Sequence, residues 1–387
     1  MAFTPAEEIT AAGFPVYLHG FNAVDSYLGR KNTIAFHAIC GADLADLARI
    51  FENLRYPGAA LADAAVDSKE KTWYFKCLDS DSGMEAAVSK ASATFDFLEF
   101  YQDCKTGRYY DTAGIYPYLR FIRDGVKCEN IGLSQIRENS QIHPRKLLND
   151  MAVILAKYFP ETTSREIGKI AEKYRCQNCG KPSTEEQKIL LAGLLEAANP
   201  AGGFELLYKS GYISAYWPEL AVLNEVDHCK EYHPEGNVWK HTMEALGHRK
   251  AAGSGFELKL SLGLLLHDLG KPLSKSAGSR RFDGHAEMGS RQARRFLERL
   301  NFESGLIDDV CYLVRNHMLP AALPRLPLNR TGDIMVSPLF PLLLELYRCD
   351  EASSFKDLGA YYQSSAAYKN FLKNRRNPYR LLTAAQL

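Results

Sequence analysis

The amino-acid sequence predicts an α+β protein with a small mixed α/β head, a mostly helical neck and body, and an all-α C-terminal domain. Three observations carry this prediction. Short strand-like and helical runs mix only up to about residue 125, helical stripes dominate from Ser134, and seven of the ten histidines fall after Glu225, among helical runs that end in His or Asp. A chain of 387 residues exceeds the usual size of one hydrophobic core. The expected divisions are 1–125, 126–224 and 225–387.

In the head, residues 14–18 form a short apolar run ending at Gly20, and residues 42–54 place Leu44, Leu47, Ala48 and Phe51 at helical spacing. Residues 72–78 and 95–101 read as strands, the second entering a turn at Lys105, Thr106 and Gly107 before residues 108–111. In the neck, Leu147, Met151, Leu155 and Phe159 mark one helical face, and Ile189, Leu190, Leu194 and Leu195 mark another. Ser183 followed by Glu186 supplies a capping box for the second of these helices.

Composition narrows the function classes. Apolar residues make up 46% and charged residues 24%, which fits a folded soluble protein and not a disordered or fibrous one. The formal charge of +1 excludes a strong global attraction for nucleic acid. A local exception is the acid-free stretch 369–380, where Lys369, Lys373, Arg375, Arg376 and Arg380 accompany Tyr379. It offers phosphate and stacking contacts to RNA, and a solvated terminal helix explains the same residues. No apolar run is long enough to cross a bilayer and the first residues lack the pattern of a leader, so the expected location is the cytoplasm. Nine scattered cysteines suit a reducing compartment, and Cys176 and Cys179, the one tight pair, lack the two further ligands of a structural zinc.

The chemistry concentrates after Glu225. Leu258, Leu262, Leu265 and Leu266 define a buried helical face that leads into His267 and Asp268, after which Gly270 and Pro272 are expected to end the helix. A carboxylate at the end of an apolar run is costly to desolvate unless paired or coordinated, and a divalent cation can hold both side chains. His241 lies on a helix starting near Val238, with Ala245 and His248 on the same face, and Asp350 follows Leu342, Leu343, Leu346 and Tyr347 in another helical run. Two imidazoles and two carboxylates form a mixed nitrogen and oxygen shell suited to Mg, Mn, Ni, Fe or Zn, so ligand type does not choose the metal.

The segments 233–242 (HPEGNVWKHT) and 265–272 (LLHDLGKP), followed by 282–289 (FDGHAEMG), 314–318 (VRNHM) and Asp350, resemble the HD domain attached to bacterial tRNA nucleotidyltransferases of the poly(A) polymerase superfamily. The resemblance implies metal-dependent phosphodiesterase, phosphatase or nucleotidase chemistry. Its substrate would be a nucleotide, a 2′,3′-cyclic phosphate or an RNA end, with tRNA as a candidate partner. The implied metal ligands are His241, His267, Asp268 and Asp350. Asp268 would also orient or deprotonate the attacking water, and Lys271 and Arg315 would neutralise phosphate. Solvation after a helix also explains Lys271, and a local acid also explains Arg315. His285 opens the amphipathic run 286–300, while His317 continues the stripe of Leu306, Val310, Leu313 and Val314. These two imidazoles either touch substrate phosphate or extend the shell to a second ion; a single ion is the expectation.

Residues 17–30 (YLHGFNAVDSYLGR) resemble the strand, turn and helix that open the nucleotidyltransferase head, and residues 93–98 (ATFDFL) through Gly107 and Asp111 resemble a later strand and turn. Key positions differ. The second family glycine is Phe21, the arginine is Val24, and the expected carboxylate pair falls on Asn32, Thr33, Ile34 and Ala35. A nucleotidyltransferase needs fixed carboxylates to hold its cations, so the head is expected to be degenerate. Asp25 survives, and Asp63 and Asp67 are the acids available from elsewhere. Two rival readings stand beside the hydrolase: a tRNA nucleotidyltransferase with displaced carboxylates, of the CCA-adding or poly(A) polymerase type, and a nonenzymatic RNA-binding protein. The sequence sets no oligomeric state.

Overall fold

The computed structural model of the protein describes residues 3–30, 35–57, 62–68, 71–78, 100–111, 116, 119, 123, 144–159, 161–175, 181–227, 236–250, 258–276, 282–354 and 357–375. They fall into two units, Met1–Ala215 and Tyr216–Lys250 with Glu257–Leu387. Residues 32–34 and 93–98, Cys176, Cys179, His228, His233 and the basic tail from Arg376 lie outside the described residues.

In the first unit, strands β1 (Val16–His19), β2 (Ala35–Cys40), β3 (Leu54–Arg55), β4 (Ala64–Ser68), β5 (Lys71–Cys77), β6 (Phe100–Asp103) and β7 (Tyr109–Asp111) form one sheet in the order β3-β4-β5-β2-β1-β6-β7. Among the described strands only β2 and β5 pair in parallel, with Phe36 opposite Trp73 and Cys40 opposite Cys77. Alternation sends Val16, Ala38, Cys40, Trp73 and Phe75 into one apolar core with Ile9 and Leu47. Those last two residues come from α1 (Pro5–Ala11) and α3 (Leu44–Ile50), while α2 (Phe21–Tyr27) follows β1 directly. The α/β character of the head is therefore as predicted. The strand expected over 95–101 overlaps β6 at Phe100 and Tyr101.

The main helices that follow among the described residues of the same unit are α4 (Pro144–Tyr158), α5 (Ser164–Lys173), α6 (Thr184–Leu195) and α7 (Pro200–Lys209). The capping box at Ser183 and Glu186 starts α6 as expected, and a second one, Thr163 with Glu166, starts α5.

The second unit is helical, with α8 (Val238–Gly247), α9 (Leu258–Leu266), α10 (Lys271–Ser276), α11 (His285–Arg299), α12 (Ser304–Asn316), α13 (Phe340–Ser353) and α14 (Gly359–Arg375) as its main elements. Helix α9 is buried nearly all round, from Leu260 to Leu266, and packs against α8, α12 and α13. Two local expectations differ from the structure. Pro272 does not end a helix; it is the second residue of α10, where a missing N–H costs no helical hydrogen bond. Asp350 lies in the last turn of its helix and does not close it, because α13 continues to Ser353. Among the described residues no helix is long and apolar enough to cross a membrane.

Candidate metal centre

Four helix termini and one helix interior deliver the site. Asn237 caps α8 by accepting from the Lys240 amide, and the buried face of that helix carries Val238, His241, Thr242 and Ala245. His267 and Asp268 lie in the turn after α9, where the Leu269 amide bonds back to Leu266 and the Lys271 amide to Asp268. This turn presses against the start of α11. A Cβ on Gly270 would fall 1.9 Å from the carbonyl oxygen of His285 and 2.6 Å from the amide nitrogen of Gly289, so only glycine permits the approach. His285 is the first residue of α11, His317 closes α12, and Asp350 sits in the last turn of α13.

These residues converge. Nε2 of His241 lies 2.8 Å from Oδ1 of Asp350 and 3.9 Å from Oδ2 of Asp268. Nε2 of His267 lies 3.2 Å from Asp268 Oδ2 and 3.7 Å from Asp350 Oδ1. On the other side, Asp268 Oδ1 is 3.6 Å from His285 Nε2 and 4.0 Å from His317 Nε2, and those two nitrogens are 3.1 Å apart. Two buried triads result, His241 with His267 and Asp268, and Asp268 with His285 and His317.

The hydrogen bonds on the far side of each ring decide what these nitrogens present. Nδ1 faces a backbone carbonyl in three cases: Leu264 for His267 at 2.7 Å, Phe282 for His285 at 2.8 Å and Val314 for His317 at 2.7 Å. A carbonyl only accepts, so Nδ1 carries a proton and Nε2 is the nitrogen turned inward. Phe282 holds a φ of 53°, a left-handed conformation costly for a bulky residue, in the turn that presents its carbonyl to His285. Burial pushes the His317 imidazole down to about 4, with the neighbouring His267 adding to the effect. Burial also lowers His285, against the pull of Asp268. Both rings are therefore neutral near pH 7, and their lone pairs meet at 3.1 Å.

Such a set fits a divalent cation. Ligand atoms about 2.1 Å from one ion and at right angles lie about 3.0 Å apart, which matches the 2.8 to 3.2 Å separations here. His267 Nε2 is buried and has no hydrogen bond among the described residues, as a ligand position would require. The carboxylates are ionised: burial opposes it, but His267 and Lys271 hold Asp268 well below its ordinary range. The His241 hydrogen bond and the His267 ring outweigh burial at Asp350 in the same way.

The remaining predicted residues divide. Lys271 is buried and donates to Asp268 Oδ2 at 2.6 Å, with its ammonium above the Phe282 ring, so it belongs to the centre. Arg315 does not join it; its guanidinium points outward and donates to Glu287 at 2.8 Å. His248 is an exposed C-cap of α8. In the head, Asp25 is buried and accepts from Lys157 at 2.9 Å and Tyr158 at 2.6 Å. Asp63 accepts from Lys76 and the Cys77 amide, and Asp67 from Arg55 and Thr72. Sequence reasoning passed over Ser353, whose hydroxyl lies 3.0 Å from Nδ1 of His241. Its one available signal is the spacing of three from Asp350 on a helix.

Residues 237–338 match the family described as HD domain. That stretch contains His241, His267, Asp268, His285 and His317, and Asp350 lies beyond it. Among curated relatives, the CC-adding tRNA nucleotidyltransferase of Thermus thermophilus is 34% identical over 193 residues, covering 48% of this chain and 44% of the relative. The Multifunctional CCA protein of Halorhodospira halophila is 34% identical over 129 residues, covering 33% of this chain and 30% of the relative. The chain thus matches less than half the length of either protein. A crystal structure of the Bacillus stearothermophilus CCA-adding enzyme in complex with CTP aligns with 95% of this chain and 80% of its own at a TM-score of 0.45 and 14% identity. Residues 237–338 thus resemble HD domains, and the chain is similar over part of its length to tRNA nucleotidyltransferase and CCA proteins.

Proposed function

We propose that residues 225–387 form a metal-dependent phosphohydrolase that acts on nucleotides, 2′,3′-cyclic phosphates or RNA ends, with His241, His267, Asp268 and Asp350 as the ligand set. The observation that carries this reading is the inward set of Nε2 atoms around a buried carboxylate. When bound, a divalent cation supplies Lewis acidity toward a phosphoryl oxygen and acidifies water. The chain's own residues do the rest. Asp268 orients the attacking water or takes its proton, and Lys271, held beside it, neutralises phosphate charge as the ester approaches. His285 and His317 bind the phosphate from the opposite side.

A second reading is favoured by one observation. Asp268 belongs to both triads, with Oδ2 toward His241 and His267 and Oδ1 toward His285 and His317, so it can bridge two ions. Elemental analysis of protein purified with and without added Mn separates the forms: one ion per chain supports the single shell, and two support the bridged pair.

The activity is tested with a panel of cyclic and monoester nucleotides and several divalent metals. Hydrolysis should require the cation, and Asp268→Ala should lower it by at least about 100-fold while the protein stays folded. Full activity in folded Asp268→Ala protein would sink the assignment and favour the nonenzymatic RNA-binding reading.

A further inference from the structure

We propose that the cavity between α11 and α12 is a second anion site, which binds a phosphate monoester through Arg291, Arg294 and Arg315. The proposal goes beyond the metal reading and does not depend on a bound cation. Its starting point is a cavity of about 300 Å³ lined by residues of these two helices alone. Arg291 and Arg294 stand one turn apart on α11, and Asp308, Tyr312 and Arg315 follow the facing stripe of α12. The lining thus gathers three cations and one acid. Arg315 and His317 are two residues apart, so their side chains leave α12 in directions about 200° from each other. The cavity therefore lies on a different face of α12 from the metal centre.

Ion pairing explains only part of this cluster. Arg294 donates to Asp308 and Arg315 to Glu287, but all four side chains are at least 44% exposed, so water screens both pairs and they do little to hold the cations together. Arg291 has no acid partner among the described residues. The neutral groups of the lining are occupied with one another and with the backbone. Ser290 donates to the Cys311 carbonyl at 3.0 Å, the Cys311 thiol to the Ser290 carbonyl at 3.5 Å, and the Tyr312 hydroxyl to the Ile334 carbonyl at 3.2 Å. What the cavity still offers a ligand is chiefly guanidinium N–H. An acceptor-only anion suits such a lining, and phosphate oxygens match the planar guanidinium fork. Like charges one helical turn apart repel, so a doubly charged phosphate monoester compensates the cluster better than a single carboxylate does.

The test uses the full chain in chelator and titration calorimetry with inorganic phosphate and AMP. The wild type should bind both, and Arg291→Ala and Arg315→Ala should each weaken binding by about 10-fold or more, the effect of losing a charge-assisted hydrogen bond. Arg295→Ala, which removes an exposed arginine of α11 outside the lining, should leave the affinity unchanged. No binding by the wild type overturns the proposal. So does wild-type affinity in both folded lining variants, which would put the anion elsewhere, and so does equal weakening in Arg295→Ala, which would mean diffuse attraction. A 5′-phosphorylated oligoribonucleotide and its 5′-hydroxyl counterpart separate the sources of the monoester. Binding of the phosphorylated form alone supports the site and admits RNA ends, and binding of neither supports it with free nucleotides as the ligand. Equal binding of both would replace the monoester site with backbone contacts. None of these readouts uses hydrolysis or a cation, so their failure leaves the phosphohydrolase reading standing.

Discussion

Asp268 shows how one residue constrains its surroundings: it is 1% exposed, follows an apolar helix, and is ionised only because His267 and Lys271 outweigh the cost of its burial. His285 and His317 carry the opposite constraint, since burial keeps them neutral. This gives a pH dependence whose sign is fixed. As pH falls below about 6.5, the unfolded His317 takes a proton, while the folded ring resists until about 4. The unfolded state then binds more protons, so stability declines as pH falls through that window. For His317 alone the loss is on the order of 3 kcal/mol by pH 4. In chelator, melting temperatures from pH 7 to pH 4 should fall less steeply for His317→Asn than for the wild type; parallel curves would contradict the assignment. His267 and Asp268 were legible in the sequence because an acid after a leucine-rich run demands compensation. Ser353 was not, because a serine on a helix carries no signal until its neighbour is known.

Elements place these groups through a few close approaches. The turn after α9 touches the first turn of α11 only because Gly270 has no side chain, and this contact brings Asp268 within reach of His285. Gly270→Ala forces two backbone segments apart. Overpacking a rigid contact of this kind costs about 3 kcal/mol or more, and the displaced segment carries His285. A lower urea midpoint together with weakened Mn2+ binding is expected; unchanged stability would mean that the turn can shift. The helices themselves were readable from their apolar spacing and from the capping box at Ser183, since both signals are local. Pro272 was misread for a related reason. Proline stops a preceding helix and starts a following one equally well, and the sequence alone does not say which helix it belongs to. Arg315 has a comparable ambiguity, resolved by Glu287 on the facing helix.

At the scale of the whole molecule, the chemistry is concentrated in one of the two units. Among the described residues, both groups found able to hold a metal lie within 237–338, the stretch that matches the HD domain. Three acids of the head are engaged otherwise: Asp25 ties α2 to α4 through Lys157 and Tyr158, Asp63 faces Lys76, and Asp67 faces Arg55. Tyr158 also carries Arg30 over its ring, so the Asp25 contact is part of a packed joint and not of an open cleft. A head that transfers nucleotides needs carboxylates held near one another for cations and triphosphate. Asp25, Asp63 and Asp67 are each committed to a basic partner instead. We therefore expect the protein to add no nucleotide to transcripts lacking their terminal residues, in reactions with labelled triphosphates and Mg2+ or Mn2+. The same preparation should hydrolyse phosphoesters in the parallel assay, which shows that the protein is folded and competent. Asp25→Asn should leave that hydrolysis unchanged while lowering thermal stability, because it weakens the pair with Lys157. Extension of the transcript by the wild type, abolished in Asp25→Asn, would reverse the conclusion: the buried aspartate would then be a catalytic group, and the transferase reading would replace the structural one.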